Sequence, residues 1–170
     1  MKTSLSFAAP WDAGVKLLTM LVSGILGYYI LSYFHHRSQL SESDFLIRMV
    51  LPLCLLGLGL AFMVTSYAID SDGIVISRLF WRRHIRRDDI VDVSVPSAIA
   101  GRGIGLCGIW GFCGKSGFAY SSALGFHIVA ASGSTQRVVI TRKHRLPIVI
   151  SPSDAQAFIQ AFHESCHIAA

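Results

Sequence analysis

The chain has 170 residues, of which 52% are hydrophobic and 15% are charged, and its formal net charge is +5. The mean hydropathy of +0.53 is high for a soluble domain, and the excess lies in the first 69 residues. The length leaves room for one modest domain beside this apolar part. The positive charge is too small and too mixed to indicate nucleic-acid binding. The four cysteines lack any Cys-x-x-Cys spacing, which argues against a disulfide framework.

Two apolar runs, residues 15–34 and 49–69, dominate the first part of the chain. Each is close to the ~20 residues that a helix needs to cross ~30 Å of hydrocarbon. We therefore expect two transmembrane helices, at about residues 15–34 and 47–68, joined by a short loop at residues 35–45 and preceded by a tail at residues 1–14. A cleaved signal peptide is disfavoured because Asp12 interrupts the expected pattern and no small-x-small site follows. A buried helical hairpin in a soluble fold is the remaining alternative.

The distribution of Lys and Arg predicts the orientation of this pair. A short loop makes the helices antiparallel, so the tail and the C-terminal part lie on one side of the membrane. That side carries more basic residues than the loop, which offers only Arg37 and Arg48. The basic residues counted for that side are Lys2, Lys16, Arg78, Arg82, Arg83, Arg86 and Arg87. By the positive-inside rule, both termini are expected to be cytoplasmic and the protein to be a multi-pass protein of the inner membrane.

Residues 70–170 have the short alternating apolar pattern of β-strands. Strands are expected at residues 67–70, 74–79, 84–87, 90–95, 126–130, 137–141 and 148–150, with a turn ending at Gly73 and a further one at residues 132–134. Residues 101–117 contain seven glycines, and we expect a loop or irregular edge there because glycine weakens helices and strands alike. The pattern therefore predicts about seven short antiparallel strands.

The last segment has the start signals of a helix. Ser151 is expected to cap it, Pro152 fits its first turn, and Asp154 stands three residues after the cap. Ala155, Phe158 and Phe162 then recur with helical spacing and define one apolar face. The predicted fold class is α+β: a two-helix transmembrane hairpin followed by an antiparallel β-barrel or sandwich capped by a C-terminal amphipathic helix.

With these features the chain resembles bacterial PH (pleckstrin-homology-like) domain proteins, which often carry a pair of N-terminal membrane helices. The resemblance covers residue 66 to the end. It rests on Ile69-Asp70-x-Asp72-Gly73-Ile74, Ile85-x-x-x-Asp89-Ile90-x-x-Val93, the glycine-rich segment with Trp110, Gly111 and Gly114, and Ile150-Ser151-Pro152-x-Asp154-x-x-x-Phe158. It implies a PH-like barrel capped by a helix, and it carries over no catalytic residue.

Three kinds of chemical site find little support in the sequence. Gly114-Lys115-Ser116 lacks the glycine that a phosphate-binding loop needs at position 109, which is Ile109. His163, Cys166 and His167 share a helix but have no partner ligands at metal-binding spacing. Ser121, Ser122 and Ser132 have no nucleophile elbow around them. We therefore expect no catalytic residue, no metal and no cofactor.

The best functional candidate is a basic block on the domain side. Arg82, Arg83, Arg86 and Arg87 are predicted to contact anionic lipid head groups, and the alternative is an ordinary positive-inside flank with solvated side chains. The leading hypothesis is a non-enzymatic integral membrane protein that presents a cytoplasmic PH-like interaction or scaffolding domain to a protein partner. One alternative is a small-ligand-binding regulator or enzyme that uses the glycine-rich loop 101–117. The other is an accessory subunit of a larger membrane complex, bound through the helix hairpin. The sequence identifies neither the partner nor the oligomeric state.

Overall fold

Two long apolar helices precede a β-rich domain in this computed structural model, which describes residues 5–36, 41–96, 103–133 and 136–168. Helix α1 spans Ala13–His36. The second long helix, Glu42–Phe62, contains α2 (Glu42–Phe45), a π-helical stretch (Leu46–Val50) and α3 (Leu51–Phe62). At 24 and 21 residues, the two are about 36 and 32 Å long. Both are long and apolar enough to cross a membrane.

The predicted second helix, residues 47–68, extends six residues too far. Helix α3 ends at Phe62, Met63 adopts an extended backbone, and Val64–Asp70 forms strand β2. The apolar run continues past the helix because Tyr67 and Ile69 belong to the core of the β-domain. A continuous apolar stretch cannot by itself distinguish a helix in lipid from a buried strand.

The predicted tail at residues 1–14 also differs, because Leu5–Ala8 forms strand β1 and pairs antiparallel with β2. The ring of Phe7 packs edge-on against that of Phe158 at 5.1 Å. Asp12 then caps α1 by accepting a hydrogen bond from the amide of Val15 at 2.8 Å. The chain is thus fixed to the β-domain immediately before α1 and immediately after α3. Lys2, Arg37 and Ser134, which entered the predictions above, lie outside the described residues.

The strands form two sheets. Strand β3 spans Gly73–Arg78, β4 Arg82–Arg86, β5 Ile90–Ser94, β6 Ile104–Trp110, β7 Lys115–Ser121, β8 Gly125–Ala131, β9 Val138–Arg142 and β10 Arg145–Ile150. The first sheet has the order β1-β2-β3-β4, and the second has the order β5-β9-β10-β8-β7-β6. The prediction of antiparallel pairing is wrong at one place, since β8 and β10 are parallel. Their pairing follows from β9, which turns back into β10 and leaves β10 between β8 and β9.

Helix α4 (Ala155–Ile168) covers the space between the sheets, as the apolar spacing predicts. Its start differs from the expected one: Asp154, not Ser151, accepts a hydrogen bond from Ala157 N at 3.0 Å. Ser151 is buried, and its hydroxyl accepts hydrogen bonds from the amides of Ser132 and Gly133 at 2.9 and 3.1 Å. Between β10 and α4 the chain contacts β1, because Ser153 N donates to Ala8 O, and the helix begins only at Ala155.

Of the two alternatives expected for residues 101–117, a loop or an irregular edge, the loop is wrong for the described part, because the segment is a β-hairpin whose strand β6 forms the edge of the sheet with a register shift between Gly105 and Cys107. Strands β6 and β7 place Gly108 opposite Gly117. A Cβ on either glycine would lie about 2 Å from a carbonyl oxygen of the facing strand, and both have positive φ angles. Glycine is therefore required by the close approach of the two strands. Gly101 and Arg102 lie outside the described residues.

Candidate membrane-facing site

The junction between α3 and the β-domain is held by Arg78. Its guanidinium donates a hydrogen bond to the carbonyl oxygen of Phe62 at 3.0 Å. It also lies over the rings of Phe62 and Trp81, 5.3 and 4.6 Å from their centres. The indole of Trp81 donates to the oxygen of Ala61 at 3.1 Å. Two donors, one of them a cation, thus satisfy carbonyls that a helix C-terminus leaves without partners. This arrangement fixes the domain against the end of the helix.

The turn that follows Arg78 exposes apolar side chains beside the helix end. Arg78 N donates to Trp81 O, which closes a tight turn around Leu79 and Phe80. Leu79 is 47% exposed and Phe80 is 72% exposed. The Trp81 ring stands edge-on to that of Phe62 at 6.1 Å. Apolar and aromatic side chains beside a helix end match the composition of a membrane–water interface.

Strand β4 separates the predicted arginines. It begins at this junction and runs away from it, since Arg82 pairs with Ser77 and Arg86 pairs with Gly73 at the far turn. Arg82 and Arg86 are exposed on one face, about 13 Å apart along the strand. Arg83 lies on the opposite face of β4 and is half-buried. Of the predicted arginines on β4, therefore, only Arg82 and Arg83 lie close to the end of α3.

The fourth predicted residue, Arg87, contacts helix α4 instead. Its guanidinium donates to Ser165 O at 2.9 Å, to Ser165 Oγ at 2.6 Å and to Phe162 O at 3.3 Å. It also lies over the Phe162 ring at 5.2 Å. These contacts tie the C-terminal part of α4 to the start of β5. Arg87 therefore acts within the fold, at the end of the domain opposite the junction.

On the inward side of β4, Arg83 interacts with Arg78, already counted among the basic residues of this side, and with Arg142, which the sequence did not single out. Burial, followed by the neighbouring Arg83, lowers the pKa of Arg78, while Tyr67 acts in the opposite direction. Burial lowers the pKa of Arg142 as well, with Arg83 and Arg145 adding to the shift and Asp89 opposing it. Arg83 is thus the half-exposed member of a group of like charges. Mutual repulsion of this kind is relieved when an anion approaches.

The β6–β7 hairpin makes a second attachment to the helices. Its turn, residues 111–114, contacts α1 through a hydrogen bond from Cys113 N to Thr19 Oγ1 at 2.9 Å. On the other side, the Phe112 ring lies against Gly59 of α3, where a Cβ would stand 2.2 Å from the ring. Thr19 lies about 9 Å along α1 from its first residue. The turn therefore inserts between the two helices at the ends nearest the β-domain. No motif in the sequence predicted this placement.

The other chemical candidates are not assembled by the fold. Gly114 ends the hairpin turn and Lys115 begins strand β7, so no helix follows the Gly-Lys-Ser sequence. Across the described ranges, no group of three or more His, Cys, Asp or Glu side chains could hold a metal ion. His163 is exposed on α4, and the side chains of Cys166 and His167 are outside the part that the structure describes.

The fold is that of a helix-capped β-domain of the PH-like class, attached to a pair of apolar helices. A family model described as bacterial PH domain matches residues 65–165, and the chain belongs to this family. PH domains are generally non-catalytic interaction domains. Neither the curated proteins nor the solved structures gave a match. The resemblance drawn from the sequence is thereby confirmed, together with the predicted order of two apolar helices, β-domain and C-terminal helix.

Proposed function

We propose that this chain is an integral inner-membrane protein whose two long helices cross the bilayer and whose PH-like domain acts, without catalysis, as a cytoplasmic interaction module at the inner leaflet. The observation that carries the proposal is the junction at Phe62. There the exposed Leu79 and Phe80 lie beside the helix end, and Arg82 begins the strand that leaves it. Apolar side chains next to a cation suit the boundary between hydrocarbon and anionic head groups.

Orientation is supported by the attachment of the chain on both sides of the helix pair. Because β1 pairs with β2, the N-terminal strand and the PH-like domain must share one side of any membrane that the helices cross. The basic residues of that side, from Arg78 to Arg87, favour the cytoplasm. A reporter that becomes fluorescent only in the cytoplasm, fused after residue 170, is expected to be bright. A dark fusion at full expression would overturn the orientation.

Contact with the leaflet is tested at Phe80. The full chain, with its four native cysteines replaced by serine, carries Phe80→Cys labelled with an environment-sensitive fluorophore and is reconstituted in nanodiscs containing nitroxide lipids. We expect strong quenching in discs with anionic lipid. Arg82→Glu should weaken the quenching, because each basic residue near the surface contributes about 1 kcal/mol. Arg86→Glu has the same charge change on the same strand face but lies farther from the junction, and it should leave the quenching unchanged.

Two results would contradict the leaflet contact. A fluorophore at Phe80 that is not quenched in any disc would place the turn in water. Equal effects of Arg82→Glu and Arg86→Glu would show that net charge, not the geometry of the junction, controls the signal.

A second role, as a subunit bound through the helices, is favoured by a separate observation. Among the described residues, nothing beyond the adjoining residues and the backbone of the same helix lies within 4 Å of where a Cβ would stand on Gly24, Gly27 or Gly57. These glycines therefore leave helix surface open, and small residues let helices of another protein approach closely. Co-purification of a partner from native membranes that Gly24→Leu and Gly27→Leu abolish would support this role. Retention of every partner by that variant would exclude these glycines as the contact.

A further inference from the structure

An apolar cleft lies between α3 and the front of the β6–β7 hairpin. Its volume is 420 Å³, within the usual range of ligand-binding sites. One wall consists of Leu58 and Phe62, which are one helical turn apart on α3. The opposite wall consists of β6 and β7, including Cys107 and Phe118. The cleft is bordered by both attachments between the helices and the β-domain.

The floor of the cleft is kept free of side chains by the glycine pair described above. Gly108 and Gly117 both line it, and neither position tolerates a Cβ. Beyond Phe118, the same face of the sheet continues with Tyr120 and Phe126, whose rings meet at 5.2 Å and which are 45% and 60% exposed. An open apolar strip therefore leads from the cleft across β7 to β8. Apolar surface of this extent and continuity marks a binding surface.

We propose that this cleft binds one acyl chain of a membrane phospholipid. The inference rests on the proposed function, since it requires α3 to lie in the bilayer. Under that condition Leu58 and Phe62 face hydrocarbon, so an acyl chain reaches the cleft sideways without crossing water. Each methylene that enters the cleft stays in apolar surroundings, so the transfer from the hydrocarbon exposes no part of the chain to water. The wall formed by Leu58 and Phe62 thus makes the cleft continuous with the membrane. This position favours a lipid over a soluble ligand.

The test uses the full chain in nanodiscs that hold one copy each and contain a phospholipid with a photoreactive diazirine near the end of one acyl chain. After illumination, mass spectrometry locates the adducts. We expect adducts on the hairpin residues that line the cleft, 107–109 and 116–118, in addition to those on α1 and α3. The unmodified chain alone decides whether lipid enters the cleft.

Two substitutions on neighbouring residues refine the test. Cys107→Trp fills the cleft from an exposed position and should lower the adducts on residues 107–109 and 116–118 about tenfold, because the indole occupies the space that the acyl chain would fill. Leu106→Trp adds the same side chain at the adjacent residue, which is 55% exposed and does not line the cleft. It should leave those adducts unchanged. In both variants the adducts on α1 and α3 are expected to persist.

The possible failures are distinguishable. Adducts on the helices with none in the cleft would overturn the acyl-chain site and leave the membrane-spanning proposal intact. An absence of adducts on the helices as well would overturn both.

Discussion

Two glycines of α3, two residues apart, provide a sharp test of how the β-domain is attached to the helices. Gly59 is buried, and a Cβ there would stand 2.2 Å from the Phe112 ring at the tip of the β6–β7 hairpin. Gly57 is exposed, and in the described part of the chain no side chain or neighbouring element lies within 4 Å of its Cβ position. We expect Gly59→Ala to destabilise the protein relative to Gly57→Ala.

The difference between the two variants isolates the packing at the hairpin tip. Replacing glycine by alanine in a helix interior stabilises it by about 0.5–1 kcal/mol, and this gain is common to both positions. Overpacking a well-filled contact costs about 1–3 kcal/mol, and only Gly59→Ala incurs it. For a chain of this size, that cost corresponds to a Tm about 3–9 °C lower than that of Gly57→Ala.

Thermal unfolding of the full chain in detergent measures both variants, and Phe112→Ala supplies the second half of a double-mutant cycle. Once the ring is removed, Gly59→Ala should no longer be harmful, so its Tm should approach that of Gly57→Ala in the same background. Equal Tm values for the two single variants would refute the insertion of the hairpin between the helices. If Gly59→Ala still lowers the Tm in the Phe112→Ala background, the loss must come from some other contact.

Substitutions at three further positions test contacts within the β-domain and its C-terminal helix. Tyr67→Phe should lower the free energy of unfolding by about 1–2 kcal/mol in chemical denaturation, because the buried hydroxyl donates to Ala130 O and accepts from Ser151 N; an unchanged midpoint would contradict this. Asp154→Ala should cost about 1 kcal/mol and Asp154→Asn much less, since asparagine is an equally good N-cap; equal losses would argue against capping. Arg87→Met should raise amide hydrogen exchange in the last turns of α4, whereas protection equal to the unmodified chain would show that its contacts there are dispensable.

Sequence patterns predicted the parts of the fold that depend on local periodicity. The length of the apolar runs located both long helices, and the spacing of Ala155, Phe158 and Phe162 located α4 and its buried face. Periodicity did not reveal where α3 ends and β2 begins. Tyr67 continues the apolar run, and a buried strand residue cannot be distinguished from a lipid-facing helix residue by this pattern. Strand β1 was missed for a different reason: its four residues gain their partners from β2, more than fifty residues later in the chain.

The candidate site was only partly accessible from the sequence. A run of arginines indicates charge near the helix exit, but alternation along β4 and the direction of that strand decide which ones lie near α3. Arg87 could not be distinguished from Arg82 without knowing that α4 ends beside it. The β6–β7 hairpin escaped prediction because high glycine content normally weakens strands, whereas Gly108 and Gly117 pair where only glycine fits.

Because β1 pairs with β2, the helix pair is an insertion within a single β-hairpin. Ala8 stands opposite Ser66, and Ala9 N donates to Thr65 O, so residues 10–63 leave the sheet and return to the point of departure. A short turn joining these two strands would close the same ladder without either helix. The sheet therefore sets the entry and exit of the apolar segment side by side, and an excised PH-like domain would need Leu5–Ala8 spliced in front of Val64 to keep its first sheet complete.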